Sequence, residues 1–243
     1  MTIINSTSNK QVQLLKKLAQ KKYRQQYGLY LAEGTRLVCD AIRLGAKVEQ
    51  IYQSQSAYEK SPMENAVVLS DKVFETICDT VNTQGVLATI KVEQKPFSNG
   101  NCLILDAVAD PGNVGTLLRT AAATGFYDVF LCNCADVYSS KVVRSAMSAH
   151  FLLNFHVVDL PTAFQTVKGM SVYCADMNGQ NVFQTTFVEP FAIVLGNEAN
   201  GVSQFSKDNS TEIVSLPMEN QFESLNVSVA GGVLMYLSKN NWR

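Results

Sequence analysis

The sequence predicts an α/β protein built around a parallel sheet. Three observations carry this reading. Continuous apolar runs of the buried-strand kind recur through the second half of the chain, at Cys102–Leu105, Val129–Cys132, Val172–Ala175, Ala192–Leu195 and Glu212–Leu216. Helical patterns fall between and after them, at Ser139–Ser148, Thr162–Val167 and Ser224–Leu237. The 243 residues are 47% hydrophobic and 17% charged, enough apolar material for a packed core and too much for a disordered chain.

The first part of the chain alternates helix and strand on a smaller scale. Residues 9–26 form an amphipathic pattern in which Val12, Leu15, Leu18 and Ala19 share one stripe. A short strand follows at Gly28–Leu31, and Thr35 is placed to cap a helix that runs to Leu44. A strand at Val48–Tyr52, a polar stretch containing Pro62, a helix at Asp71–Cys78 and a strand at Val86–Val92 complete this part. Gln94–Gly100 has the composition of a linker, so the expected division is 1–95 and 101–243.

Composition excludes several classes. No run of 18 apolar residues is present, and the first residues lack the charged-then-apolar pattern of a secretion signal, so no membrane partner is expected. The six cysteines sit mostly in strand-like runs, and one C-x-C beside two histidines makes a poor metal site. They read as reduced core residues of a cytoplasmic protein without a metal. The formal net charge of −1 hides an asymmetry: residues 1–47 carry nine Lys/Arg against Glu33 and Asp40, a net of +7, and the rest a net of −8. Lys16, Lys17, Lys21, Lys22, Arg24 and Arg36 are the candidate polyanion contacts; a solvated helix face is the other reading of the same charges.

Three loops differ from ordinary connectors. The first, Asp106–Arg119, leads into a helix whose buried stripe is Val114, Leu117, Leu118 and Ala121. Asn113 is placed to cap this helix, Gly125 to close it, and Arg119 projects beside the small Gly115 and Ala122. A planar guanidinium there suits a phosphate or carboxylate. The second, Leu195–Gly201, follows a buried strand and is glycine-rich, which lets backbone approach a ligand. It is neither G-x-G-x-x-G nor a phosphate loop ending in Gly-Lys, so a plain dinucleotide or nucleoside-triphosphate fold is poorly supported. The third runs from Leu216-Pro217-Met218 to Ser224-Leu225-Asn226-Val227-Ser228, with Ser224 placed to cap a last helix that is apolar on nearly all sides. Gly231 and Gly232 inside it cost about 1 kcal/mol each relative to alanine, which close packing would offset.

Taken together and in order, these segments resemble the three signature motifs of the SpoU (TrmH-like) RNA ribose methyltransferases of the SPOUT superfamily. They are Asn113, Gly115 and Leu118-Arg119-Thr120-Ala121 with Gly125; Leu195-Gly196-Asn197-Glu198-Ala199-Asn200-Gly201; and Leu216-Pro217-Met218 with Ser224-Leu225-Asn226-Val227-Ser228-Val229-Ala230. The start of the chain and Thr83–Ala88 look like the small substrate-binding domain of that family, so the resemblance covers nearly the whole chain. Asn200 and Ser148 depart from it, each standing where the family often has Gly.

The resemblance implies an N-terminal α/β domain similar to RNA-binding ribosomal proteins and a C-terminal parallel-sheet domain tied in a deep trefoil knot. It implies S-adenosylmethionine as cofactor, held at Leu195, Gly196, Gly201, Leu216, Met218 and Leu225, and a homodimer joined through the last helix. The implied reaction is methyl transfer to a ribose 2′-hydroxyl of rRNA or tRNA, rRNA being favoured. Arg119 would bind the neighbouring phosphate and stabilise the alkoxide, Asn113 and Glu198 would orient it or the ribose, and Ser224 and Asn226 would complete the site. His150 and His156 match no motif. Two alternatives stay open: a knotted base-modifying methyltransferase, in which Glu198 reads a base edge, and a non-catalytic RNA-binding or ribosome-assembly protein using the basic segment alone.

Overall fold

The computed structural model describes residues 2–80, 82–219 and 224–239. The chain folds as two compact units, one of residues 1–93 with 138–151 and the other of 94–137 with 152–243.

The first unit opens with β1 (Ile3–Ile4), α1 (Lys10–Lys17) and α2 (Lys21–Tyr27). The helix expected over 9–26 is therefore two helices. Gln20 adopts an extended conformation between them, and Arg24 reaches back to donate to the Leu18 and Ala19 carbonyls at 2.7 and 2.8 Å. These carbonyls would otherwise be orphaned at the end of α1. Next come β2 (Leu29–Glu33), α3 (Thr35–Arg43), β3 (Val48–Ser54), α4 (Gln55–Lys60), β4 (Val67–Leu69), α5 (Asp71–Glu75) and β5 (Val86–Lys91). Thr35 does not cap α3. It is the first helical residue, and its N–H is taken at 2.8 Å by the side chain of Gln84, a long-range cap that no local pattern announces. The sheet order is β1-β4-β3-β5-β2, with β5 antiparallel to both its neighbours and the other pairs parallel.

The second unit supplies β6 (Cys102–Asp106), α6 (Pro111–Thr124) and β7 (Asp128–Cys132). The chain then crosses to the first unit for α7 (Ser140–Ala146) and a 3-10 turn at Met147–Phe151. Val143 joins the core of Tyr30, Ala32, Val38 and Ala41 there, so this helix, although inside the 101–243 span, buries its apolar face in the first unit. The chain returns for β8 (Asn154–Val157), α8 (Leu160–Thr166), β9 (Ser171–Asn181), β10 (Phe191–Leu195), α9 (Gln204–Asp208), β11 (Glu212–Ser215) and α10 (Val227–Leu237). All six strands are parallel, in the order β11-β9-β10-β6-β7-β8. β6, β7 and β10 are buried along their whole length, which is why their sequences read as continuous apolar runs rather than alternations. The expected buried stripe of α6 is buried at all four positions.

The glycine pair of α10 has two different explanations. A Cβ on Gly231 would lie 2.4 Å from the Leu195 side chain and 2.5 Å from that of Leu117, so this glycine lets α10 sit down on β10 and α6. A Cβ on Gly232 would meet nothing nearer than Thr120, at 3.9 Å. Replacing Gly231 with Val should therefore lower stability by about 1–3 kcal/mol through overpacking. Gly232→Ala should hold or raise it, by up to ~1 kcal/mol of helix propensity. Chemical denaturation of the two variants checks the contrast.

Candidate active site

Every strand of the parallel sheet ends at the same edge, so the loops after β6, β9, β10 and β11 gather there. Asp106, buried at the end of β6, accepts from Ser203 N at 2.8 Å and Ser206 Oγ at 2.7 Å, fixing the chain beyond the second loop. Within that loop Asn197 forms a side-chain turn. Its Oδ1 accepts from Ala199 N and Asn200 N, and its Nδ2 donates to the Ala107 carbonyl at 2.9 Å. That last bond helps hold Ala107 in the left-handed region, at φ +58°, a strained place for a non-glycine residue. The left-handed position of the second loop is Gly201 at φ +67°, so Asn200 in place of a glycine disturbs nothing. Gly196 answers to the protein's own backbone: a Cβ there would lie 2.2 Å from the Gly201 carbonyl carbon and the Val202 nitrogen.

A chain of side-chain bonds ties the three loops together. Asn226 Nδ2 donates to Asn113 Oδ1 at 3.0 Å, and Asn113 Nδ2 donates to Glu198 Oε1 at 2.9 Å. Glu198 also accepts from Asp110 N at 3.0 Å and Ala109 N at 3.2 Å. Burial disfavours the Glu198 carboxylate, but the bonds from Asn113, Asp110 and Ala109 outweigh it and hold the carboxyl below its ordinary range. Neither expected cap is where spacing put it. Asp110 caps α6 by accepting from Asn113 N, which frees the Asn113 side chain for the other loops. Asn226 caps α10 by accepting from Ser228 N and Val229 N, while Ser224 lies outside the helix and is exposed.

The loops enclose a cavity of about 570 Å³, within the range of small-molecule sites. All six expected cofactor positions line it: Leu195, Gly196, Gly201, Leu216, Met218 and Leu225. Glu198, Ser224 and Asn226 line it as well. Arg119 does not. It stands exposed on α6, and among the described residues no hydrogen bond or ion pair engages its guanidinium. Sequence reasoning missed Asp176 and Met177, which line the cavity from the middle of β9. The pairing of β11 skips there from Cys174 to Gln180, so residues 175–179 have no register partner on β11. Asp176 is held there by Lys207 at 2.7 Å and Asn178 N at 3.0 Å. Of the two acidic lining residues, Asp176 is compensated by Lys207, whereas Glu198 has no ion-pair partner among the described residues and leaves a negative charge at the cavity.

Of the expected polyanion contacts, Lys16, Lys17, Lys21, Lys22 and Arg36 are exposed on the first unit. Arg24 is corrected: it is buried, with its guanidinium spent on the α1 carbonyls. Among the described residues no cluster of His, Cys, Asp and Glu could hold a metal, and no helix is long and apolar enough to cross a membrane.

Because its folded-state pKa is depressed, the Glu198 anchor is fully present above the ordinary glutamate pKa and is lost as pH falls through the lowered value. A carboxyl-carbon NMR titration should put the Glu198 midpoint below 4.5, and Asn113→Ala should move it upward. A midpoint insensitive to Asn113 would contradict the assignment of that bond.

Comparison with known proteins gives the family and the fold. The profile of the SpoU rRNA Methylase family matches residues 100–236, and that of the MRM3-like substrate binding domain matches residues 9–88. The 23S rRNA (guanosine(2553)-2′-O)-methyltransferase RlmP of Bacillus subtilis is 34% identical over 97% of this chain and 98% of its own. A TrmH-family protein of Porphyromonas gingivalis superposes with a TM-score of 0.84 at 29% identity, over 96% of this chain and 98% of that one. An AdoMet-bound rRNA methyltransferase from Sinorhizobium meliloti shares the fold at a TM-score of 0.86 and 24% identity, covering 98% and 97% of the two chains. With its three motifs joined by hydrogen bonds around one cavity, this chain belongs to the SpoU rRNA methylase family.

Proposed function

We propose that this protein transfers the methyl group of S-adenosylmethionine to a ribose 2′-hydroxyl of RNA, ribosomal RNA being the favoured substrate. The observation that carries the reading is the Asn226–Asn113–Glu198 chain at the cavity, which brings the three motif loops to one place. The relative RlmP, similar over nearly the whole chain, supports rRNA as the substrate class. Leu195, Gly196, Gly201, Leu216, Met218 and Leu225 would hold the cofactor, and the Glu198 carboxylate at the cavity suits its positive charge. When bound, S-adenosylmethionine supplies an electrophilic methyl group on a sulfonium.

The protein's own residues then bring the hydroxyl in line and ease loss of its proton. Arg119 is exposed and makes no hydrogen bond or ion pair among the described residues, so its planar donors are available to the phosphate beside the target ribose. From there it stabilises the alkoxide that develops as the proton leaves. A guanidinium keeps its charge in proteins, the more so beside a phosphate, so Arg119 acts as a fixed cation while the hydroxyl proton passes to water. Glu198 is a positioning residue, since both its oxygens already accept from loop donors. With Asn197 Nδ2 also donating to Oε2 at 3.5 Å, all four acceptor positions of the carboxylate face loop donors, which speaks against a role for Glu198 in reading a base edge. Ser224 and Asn226 offer the remaining hydrogen bonds at the cavity.

The wider arrangement is part of the same proposal. Residues 1–95 bind the RNA through Lys16, Lys17, Lys21, Lys22 and Arg36, and residues 101–243 carry the chemistry. The last segments of the second unit thread into a deep trefoil knot. Support comes from the match of residues 100–236 to the SpoU rRNA Methylase family. The protein works as a homodimer through α10, whose Val229, Val233 and Tyr236 form an exposed stripe at helical spacing. It works in the cytoplasm, where the buried thiols of Cys102, Cys132 and Cys174 stay reduced.

Arg119→Ala should lower transfer of a labelled methyl group to RNA by roughly 10²–10³-fold, with calorimetric affinity for S-adenosylmethionine within about twofold of the parent. Arg119→Lys keeps the charge, loses the fork and should rescue little. Near-normal turnover in the alanine variant would remove Arg119 from the chemistry. Lost cofactor binding in a folded protein would move it into the pocket.

A further inference from the structure

The corner between α1 and α2 carries a feature that methyl transfer does not use. Tyr23 and Tyr27, one turn apart on α2, stack with ring centres 6.4 Å apart and planes 25° from parallel. The Lys22 ammonium lies 4.7 Å and the Lys17 ammonium 5.6 Å from the centre of the Tyr23 ring. Tyr23 is half-buried behind these groups, whereas Tyr27 ends the stack at 42% exposure. On the same helix Arg24 is buried, and its bonds to the Leu18 and Ala19 carbonyls lock α2 to α1. The aromatic pair is therefore preorganised on a rigid corner.

We propose that Tyr27, backed by Tyr23 and flanked by Lys17 and Lys22, is a stacking platform for an unpaired nucleotide of the RNA substrate. This rests on the RNA reading given above. The occupant follows from charge and shape. Residues 10–32 contain no Asp or Glu but include Lys16 and Lys21, and Glu93, which follows Val92 beside Gly28, is ion-paired to Lys47 at 2.9 Å, so the charge around the rings is mainly basic. A nucleotide offers both matching parts at once: a flat base for the ring and a phosphate for the ammonium groups. A paired base keeps its faces inside the duplex, so the platform selects a loop, bulge or end. Stacking asks for no particular base, so the contact adds affinity and placement without sequence choice.

The test is fluorescence anisotropy of a labelled single-stranded oligoribonucleotide of about ten residues with the full chain, across a salt series. Tyr27→Leu should bind about tenfold more weakly, with the slope of log affinity against log salt unchanged, because no charge is lost. Tyr27→Phe keeps the ring and should bind within about twofold of the parent. Lys17→Gln with Lys22→Gln should flatten the slope by roughly 1.4, at about 0.7 per phosphate contact on a single strand. Unaltered binding by Tyr27→Leu, with unaltered melting, overturns the platform while leaving the RNA reading standing, and gives the face to a protein partner. A flattened slope in Tyr27→Leu also overturns it, since the loss would then be electrostatic. A parent protein that binds no RNA overturns the platform and the reading beneath it together.

Discussion

The site depends on one short relay of amide and carboxylate bonds. Asn113 donates to Glu198 and accepts from Asn226, and so joins three loops drawn from positions 85 and 113 residues away along the chain. The parallel sheet makes this possible by ending its strands at one edge, but the sheet alone leaves the loops independent. Asp110 matters as much as Asn113. By capping α6 it relieves the Asn113 side chain of that duty and leaves both the oxygen and the nitrogen of its amide for the other loops. Asn226 serves twice, as the cap of α10 and as a partner of Asn113, so the last helix is held in register with the cavity it borders.

Charge is distributed in the same spirit. The cavity holds the Glu198 carboxylate, and the lysines cluster on the other unit. Two arginines show how position decides role. Arg24 is buried and satisfies helix-end carbonyls, so its charge holds the fold together. Arg119 is exposed on a helix whose opposite face is wholly buried, which fixes its backbone while leaving the guanidinium available.

The second unit was the more legible of the two in the sequence, for a physical reason. Strands buried on both faces must be apolar throughout, so β6, β7 and β10 announce themselves as runs, and β9 does so over its buried stretch, residues 172–174. β8 at Asn154–Val157 does not, because its residues are only partly buried and include His156, whose Nε2 pairs with Asp128 at 2.8 Å. β1 and β4 are too short to show a pattern. The three motif loops were legible as motifs, and all six expected cofactor positions reach the cavity. What stayed hidden are the long-range side-chain choices. Gln84 caps a helix 49 residues earlier in the chain, Asp176 lines the cavity where β9 and β11 shift register, and Val143 carries α7 into the other unit's core. None of these has a local periodicity to betray it.

If the relay through Asn113 builds the cavity, its two ends cannot act independently. The direct measurement is a double-mutant cycle of Asn113→Ala and Asn226→Ala, read by calorimetric affinity for S-adenosylmethionine. The expected result is that the double variant loses at least ~1 kcal/mol less than the sum of the two single losses, since the first substitution already breaks the bond the second would remove. Losses that add to within about 0.3–0.5 kcal/mol would show the loops to be held separately and would contradict the account.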